Sequence, residues 1–162
     1  TVVNSHAHFD HAGGVRAAAA EGATIVTQAA NLRYFERAFA QPNRIRPDAF
    51  ARAGKEPQFI AVGDKLDIGD AARPIEVHRI VGGPHSASFV MVYLPRERLL
   101  IEADAFTPAP PNAPPPAVAN ANSVNLVDNI ERLKLGVDRI LPLHGRVVPV
   151  SDLYAATQRT PR

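Results

Sequence analysis

The sequence predicts an α/β fold, in which short buried strands alternate with helices, and an α+β component where strands follow one another directly. Near the amino terminus, a strand end at residues 1–4, a helical stretch at residues 15–21 and the apolar run Thr24–Gln28 follow in the order typical of an α/β layer. Further on, PRER separates the apolar runs Phe89–Leu94 and 99–103, which predicts a hairpin. With 162 residues, 46% of them hydrophobic, the sequence predicts a single globular domain over residues 1–162.

Local signals predict the elements of the first part of the chain. Alanine-rich residues 15–21 favour helix, and Gly22 is typical of a helix stop. Asn31 is predicted to cap a second helix, which runs to about residue 40. Helical spacing places Leu32, Phe35 and Phe39 on one face of it, and this face is predicted to pack in the core.

A basic and polar connection follows at residues 42–57. We interpret it either as solvated surface or as an anion-binding rim, with a short helix around residues 48–53. Gln58–Val62 and residues 74–81 are predicted strands. The segment GDKLDIGD between them is typical of a hairpin connection with a short apolar centre.

Proline dominates residues 107–116, where TPAPPNAPPP excludes helix and regular sheet pairing and favours a stiff extended loop. This loop either shapes a substrate pocket or is purely structural. Ser123 is predicted to cap a helix that runs to Leu135 and ends at Gly136. A strand at residues 139–143 and a last short helix, capped by Ser151, complete the chain.

The richest cluster of metal-binding side chains is SHAHFDHAGG at residues 5–14, which contains His6, His8, Asp10 and His11. Residues two apart on an extended segment point the same way, so His6 and His8 can bind one ion together. Asp10 and His11 follow where the strand gives way to a loop, and they can turn toward a second ion. The cluster is therefore a candidate two-metal site.

Further candidate ligands close strand-like runs downstream. His85 lies between two predicted strands, Asp104 ends LLIEAD, and His144 ends RILPLHG. Such positions let a rigid sheet hold side chains for a site. His78 is the remaining histidine, and we interpret it as a packing or surface residue.

With these residues in order, the sequence resembles the metallo-β-lactamase superfamily over essentially the whole chain. The resemblance implies an αββα sandwich, of which the chain would carry the carboxy-terminal part, with an amino-terminal strand region missing. It implies that His6, His8 and His85 bind one metal, that Asp10, His11 and His144 bind the other, and that Asp104 bridges them. This donor set suits two zinc ions, and iron or manganese also bind imidazole and carboxylate. Asp10 would additionally orient a metal-bound hydroxide and pass a proton to the leaving group.

The resemblance implies a metal-dependent hydrolase that attacks an ester, thioester, lactone, amide or phosphoester bond of a small molecule. Aspartate at position 104 resembles the glyoxalase II, lactonase and phosphodiesterase-like branches of the family. Two alternatives remain open at this point. One is a mononuclear iron enzyme similar to persulfide dioxygenases, and the other is a truncated domain that turns nothing over.

The charge, the apolar runs and the cysteine content of the sequence indicate which classes of binding partner to expect. The formal charge is only +2, with 15 arginines and 3 lysines, so nucleic acid is not expected as a partner. No apolar run approaches the roughly 20 residues of a membrane span, so we expect a soluble protein without a membrane partner, either cytoplasmic or periplasmic. The absence of cysteine excludes a disulfide framework. If strands are missing, we expect an additional segment or a second copy to cover the exposed sheet.

Overall fold

The computed structural model of the protein describes residues 1–114 and 116–161. The chain divides into two compact units, Thr1–Asp64 and Lys65–Arg162. The predicted α/β class is confirmed, and the predicted single domain over residues 1–162 stays a prediction. Among the described residues, no helix combines the length and the apolar character that a membrane crossing requires.

The amino-terminal unit contains a parallel sheet with the strand order β1-β2-β3. Helices surround its core, where Ile25, Phe35, Phe39 and Phe50 are buried. The strands are β1 (Val2–Val3), β2 (Thr24–Gln28) and β3 (Gln58–Val62), and the helices are α1 (Phe9–Ala12), α2 (Val15–Ala20), α3 (Leu32–Ala40) and α4 (Ala49–Ala53). A 3₁₀ turn at Ala29–Asn31 precedes α3.

The carboxy-terminal unit contains a sheet with the strand order β4-β5-β6-β7-β8-β9, in which only the described pair β7–β8 is parallel. Its core buries Leu100, Leu126, Ile140 and Leu153 completely. The strands are β4 (Lys65–Asp67), β5 (Glu76–Ile80), β6 (Phe89–Leu94), β7 (Leu99–Glu102), β8 (Arg139–Pro142) and β9 (Val148–Pro149), and the helices are α5 (Ala121–Leu133) and α6 (Val150–Thr157).

Most predicted elements are confirmed to within two residues at each end, including the β6–β7 hairpin. The segment GDKLDIGD does not connect β3 and β5 in the predicted hairpin. Strand β3 instead pairs in parallel with β2. The apolar centre of that segment forms β4, and β4 pairs antiparallel with β5. The described residues 107–114 and 116 lie outside helices and strands, as predicted, whereas Pro115 of that segment lies outside the described residues.

Two predicted helix caps, Ser123 and Ser151, are wrong, and Asn31 takes the predicted cap position of α3 without a capping hydrogen bond from its side chain. Asn31 has helical backbone because the 3₁₀ turn runs directly into α3, and Gln28 instead accepts a hydrogen bond from the Ala30 N–H. Helix α5 begins before Ser123, and Asn120 is its N-cap. Its C-cap is Lys134, whose backbone has the left-handed conformation. Helix α6 begins directly after Pro149, so Ser151 lies inside its first turn.

Candidate metal centre

The first group of predicted ligands lies in the bend that follows β1. Strand β1 ends at Val3, so His6 and His8 lie beyond the paired strand, and the backbone of His8 is still extended. The chain bends at residues 7–8, and the two imidazole rings lie side by side. The Nε2 atom of the buried His6 lies 2.9 Å from Nδ1 of the exposed His8, and the ring centroids are 4.4 Å apart. Two imidazole nitrogens at this separation can share one cation.

Asp10 and His11 lie on α1 and not in the predicted loop. The carbonyl oxygen of His8 accepts hydrogen bonds from the N–H groups of His11 and Ala12, at 3.1 and 2.8 Å, which closes the helical turn. Within this turn, Oδ2 of the exposed Asp10 lies 3.3 Å from Nε2 of His11. The His11 ring also lies 4.4 Å from the His6 ring. The four side chains of the motif are thus neighbours within the amino-terminal unit.

A buried amide holds this motif in shape. Asn4 is 2% exposed, and its Nδ2 donates hydrogen bonds to the carbonyl oxygens of His6 and His11, at 2.9 and 3.2 Å. Its Oδ1 accepts from Thr27, whose hydroxyl in turn accepts from Asn31. Sequence reasoning missed Asn4. The available signal was a polar residue at the close of an apolar strand, since such a residue needs buried partners.

The second group of predicted ligands surrounds one carboxylate in the carboxy-terminal unit. Nε2 of His85 lies 2.9 Å from Oδ2 of Asp104, and Nε2 of His144 lies 3.1 Å from Oδ1. Each oxygen of Asp104 therefore faces a different histidine. The carboxylate of Asp104 thus lies between two imidazole groups.

The sheet explains why Asp104 and His144 meet. Strands β7 and β8 are parallel neighbours, so the residues that follow them leave the sheet at the same edge. The N–H of Leu143 donates to the carbonyl oxygen of Glu102 at 2.9 Å, which extends the pairing to the residue before His144.

Helix α5 anchors the loop that carries His85. The Asn129 side chain bonds both the N–H and the carbonyl oxygen of Val81, at 2.9 and 3.0 Å, where the chain leaves β5. Asn125 donates to the same carbonyl oxygen at 2.9 Å. Two amides of α5 therefore fix the start of the loop four residues before His85.

Glu102 is a buried carboxyl group beside the ligands, and sequence reasoning missed it. Its Oε2 accepts hydrogen bonds from the N–H groups of Ala105 and Phe106, at 2.8 and 3.2 Å. Burial raises the pKa of Glu102 to about 8, the two hydrogen bonds oppose that rise, and the charge of Asp104 adds to it. An acidic residue inside the apolar run LLIEAD was the available signal.

The proline-rich segment supports the turn that follows β8. Gly145 has φ of +149°, and a Cβ atom there would lie 2.9 Å from Cδ of Pro108. The Arg146 guanidinium donates to the carbonyl oxygen of Ala109. The segment also lines a cavity of about 220 Å³ together with Phe106, Arg146 and Asp152. It therefore contacts the residue next to His144.

His78 lies on β5 and is 4% exposed. Its Nε2 atom lies 2.7 Å from Oε2 of Glu76, and its Nδ1 has no hydrogen-bond partner among the residues that the structure describes. Glu76 also pairs with Lys65 at 3.0 Å. His78 thus takes part in a network along β4 and β5, as expected of a packing residue.

The donor atoms fit divalent transition metals. The candidate ligands offer imidazole nitrogens and carboxylate oxygens, and the chain has no cysteine. Zinc, iron and manganese all accept such a mixture. The donor chemistry supports a metal site without selecting one of these metals.

Comparison with known proteins gives a consistent result. The sequence model of the metallo-beta-lactamase superfamily matches residues 1–144, a range that includes all seven candidate ligands. No curated protein sequence matches the chain.

Several solved structures share the fold. The DIM-1 metallo-beta-lactamase has 15% identity and a TM-score of 0.64, and the metallo-beta-lactamase from Pontibacter korlensis has 20% identity and a TM-score of 0.65. In both cases the likeness covers 96% of this chain and 66% of the other. Rubredoxin oxygen:oxidoreductase from Desulfovibrio gigas has 15% identity, a TM-score of 0.65 and coverage of 96% and 41%. The chain therefore spans just under two thirds of the length of the two lactamases.

Proposed function

Because the chain belongs to the metallo-beta-lactamase superfamily, we propose that it is a metal-dependent hydrolase that acts on a small molecule. The main support for this proposal is the geometry of Asp104, whose two carboxylate oxygens face His85 and His144 at 2.9 and 3.1 Å. A carboxylate held in this way is suited to bridge two ions. The scissile bond would be an ester, thioester, lactone, amide or phosphoester.

The proposed ligands comprise five histidines and two aspartates. One metal would be held by His6, His8 and His85, the other by Asp10, His11 and His144, with Asp104 between them. The close approach of His6 to His8 and of Asp10 to His11 supports this division. Two divalent ions bound there would lower the pKa of a shared water and polarise the bond under attack.

Asp10 would handle the proton in this reaction. Its side chain is 41% exposed, so a substrate or a water molecule can reach it, and Oδ2 faces Nε2 of His11. A carboxylate with one oxygen turned toward the ligand group can accept the proton of the attacking water at Oδ1. It can then pass that proton to the leaving group.

Elemental mass spectrometry on protein purified without added metal tests the proposal. We expect about two ions per chain, as in two-metal hydrolases, and about one in His144→Ala. His78→Ala is the matched control, since it also removes a histidine and is expected to keep both ions. Wild-type protein without bound metal, or equal loss of metal in both variants, would contradict the proposed site.

An iron oxygenase is the second candidate function. The similarity in fold to an oxygen:oxidoreductase favours it, and the nitrogen and oxygen donor set is compatible with iron. Such an enzyme, of the persulfide dioxygenase kind, would use a single iron. One iron and no zinc per chain would support this function over the hydrolase.

A further inference from the structure

Glu102 lies on the core-facing side of β7, where an apolar side chain is expected. It is the last residue of β7, and alternation along the strand places it on the same face as Leu100, which is buried in the core of this unit. Glu102 is itself only 2% exposed, and its Oε1 has no hydrogen-bond partner among the described residues. Burying a carboxyl group among Ala103, Ala105 and Phe106 is costly, so packing does not explain the residue.

The contacts of Glu102 join the two turns that carry the carboxy-terminal ligands. Its Oε2 accepts the N–H groups of Ala105 and Phe106, the two residues that follow Asp104. Its carbonyl oxygen accepts the N–H of Leu143, the residue before His144. The side chain thus fixes the backbone after Asp104, whereas the bond beside His144 comes from the backbone of residue 102 and continues the β7–β8 pairing.

The hydroxyl of Ser123 on α5 completes the support of the first turn. It donates to the carbonyl oxygen of Ala105 at 3.2 Å, while the N–H of Ala105 donates to Glu102. Ala105 is therefore held from both sides. The preceding residue, Asp104, can then keep each of its oxygens directed at a different histidine.

We propose that Glu102 is a positioning residue whose side chain orients Asp104 for metal binding. The inference rests on the proposed function. Without an acceptor at this position, two buried N–H groups lose their partner and the turn relaxes. Residues that orient metal ligands in this way affect metal affinity even though they do not touch the ion.

Zinc affinity, measured by competition with a chromophoric chelator, tests the inference. Glu102→Leu fills the site without an acceptor and should weaken zinc binding by about 10–100-fold. Glu102→Gln keeps an acceptor oxygen for both N–H groups and should stay within about threefold of the wild type. Glu76→Gln on β5 is the matched control, because it changes a carboxylate of the same sheet that does not contact either turn.

The outcomes separate this inference from the proposed function. Wild-type protein that binds no zinc, iron or manganese overturns both. If the wild type binds zinc, equal affinity in Glu102→Leu overturns the positioning role alone. Failure of Glu102→Gln to retain affinity also overturns it, because the carboxyl group itself would then matter and an acceptor oxygen alone would not suffice.

Hydrogen exchange in the metal-free chain gives a second readout that does not depend on how Glu102→Leu folds. The Ala105 and Phe106 amides of the wild type should exchange at least about tenfold more slowly than exposed loop amides, the equivalent of one hydrogen bond. Glu102→Gln should preserve this protection. Unprotected amides in the wild type would overturn the inference.

Discussion

At the scale of single residues, buried polar side chains hydrogen-bond the backbone next to the candidate ligands. Asn4 holds the carbonyl oxygens of His6 and His11, and Glu102 holds the N–H groups that follow Asp104. None of these contacts is part of a regular helix or strand. They fix backbone turns that the hydrogen bonding of the sheets leaves unsupported, so the two residues shape the site without binding metal.

Asp10 and His78 should respond differently to truncation. Asp10→Ala removes the proposed proton acceptor and should lower kcat by at least about 100-fold. His78→Ala should leave kcat within about twofold and lower the free energy of unfolding by about 1–3 kcal/mol, because a buried side chain and its hydrogen bond to Glu76 are lost. Steady-state kinetics and urea unfolding check both variants. Equal losses of activity would contradict the role of His78 as a bystander.

At the scale of elements, strand ends deliver the ligands and neighbouring segments support them. The parallel pair β7–β8 brings Asp104 and His144 to one sheet edge. Helix α5 anchors the loop before His85 through two asparagines. The proline-rich segment packs on the turn after His144. Each ligand of the carboxy-terminal unit thus depends on an element other than its own.

Gly145→Ala should damage this arrangement. The φ of +149° disfavours a Cβ atom, and that atom would meet Pro108 at 2.9 Å. We expect a loss of about 1–3 kcal/mol in the free energy of unfolding, together with weaker zinc binding. Urea unfolding and chelator competition measure the two effects.

Gly63→Ala is the matched control for Gly145→Ala. A Cβ atom at Gly63 has no neighbour within 4 Å among the described residues, and its φ lies outside the left-handed region. The control should therefore change stability and zinc affinity little. If the two variants behave alike, the contact between Gly145 and Pro108 does not support the His144 turn.

At the scale of the whole molecule, buried and paired acids give the stability a dependence on pH. The hydrogen bond from Arg16 lowers the pKa of Asp48, so its contribution is present above pH 3.8 and is lost on acidification. Glu102 acts in the opposite direction, because burial raises its pKa from 4.5 to about 8. Between those values the folded chain keeps a proton that the unfolded chain releases.

The metal-free protein should therefore become less stable as the pH rises from about 5 to about 8. Glu102→Gln removes the titrating group and should reduce this slope. Urea unfolding at both pH values, after treatment with a chelator, measures the effect. An identical slope in the variant would mean that Glu102 does not cause the dependence.

Much of the fold could be predicted because apolar runs and helical spacing are local patterns. Thr24–Gln28, Phe89–Leu94 and the apolar face of α3 follow from them directly. Pairing was harder to predict, since β3 pairs with β2 across 29 intervening residues and not with β5, its expected hairpin partner. The caps of α5 and α6 differ from the predicted ones because both helices begin earlier than expected, whereas Asn31 keeps the cap position of α3.

The sequence by itself determined the α/β class, the family and the seven candidate ligands, because ligand identity and order are written in residue types and their spacing. Only the tertiary structure decided how neighbouring ligands converge, through the bend before α1 and through the parallel ends of β7 and β8. It also decided the roles of Asn4 and Glu102. The physical reason is that a buried polar group is defined by its partners, and folding selects those partners from parts of the chain that sequence patterns do not connect.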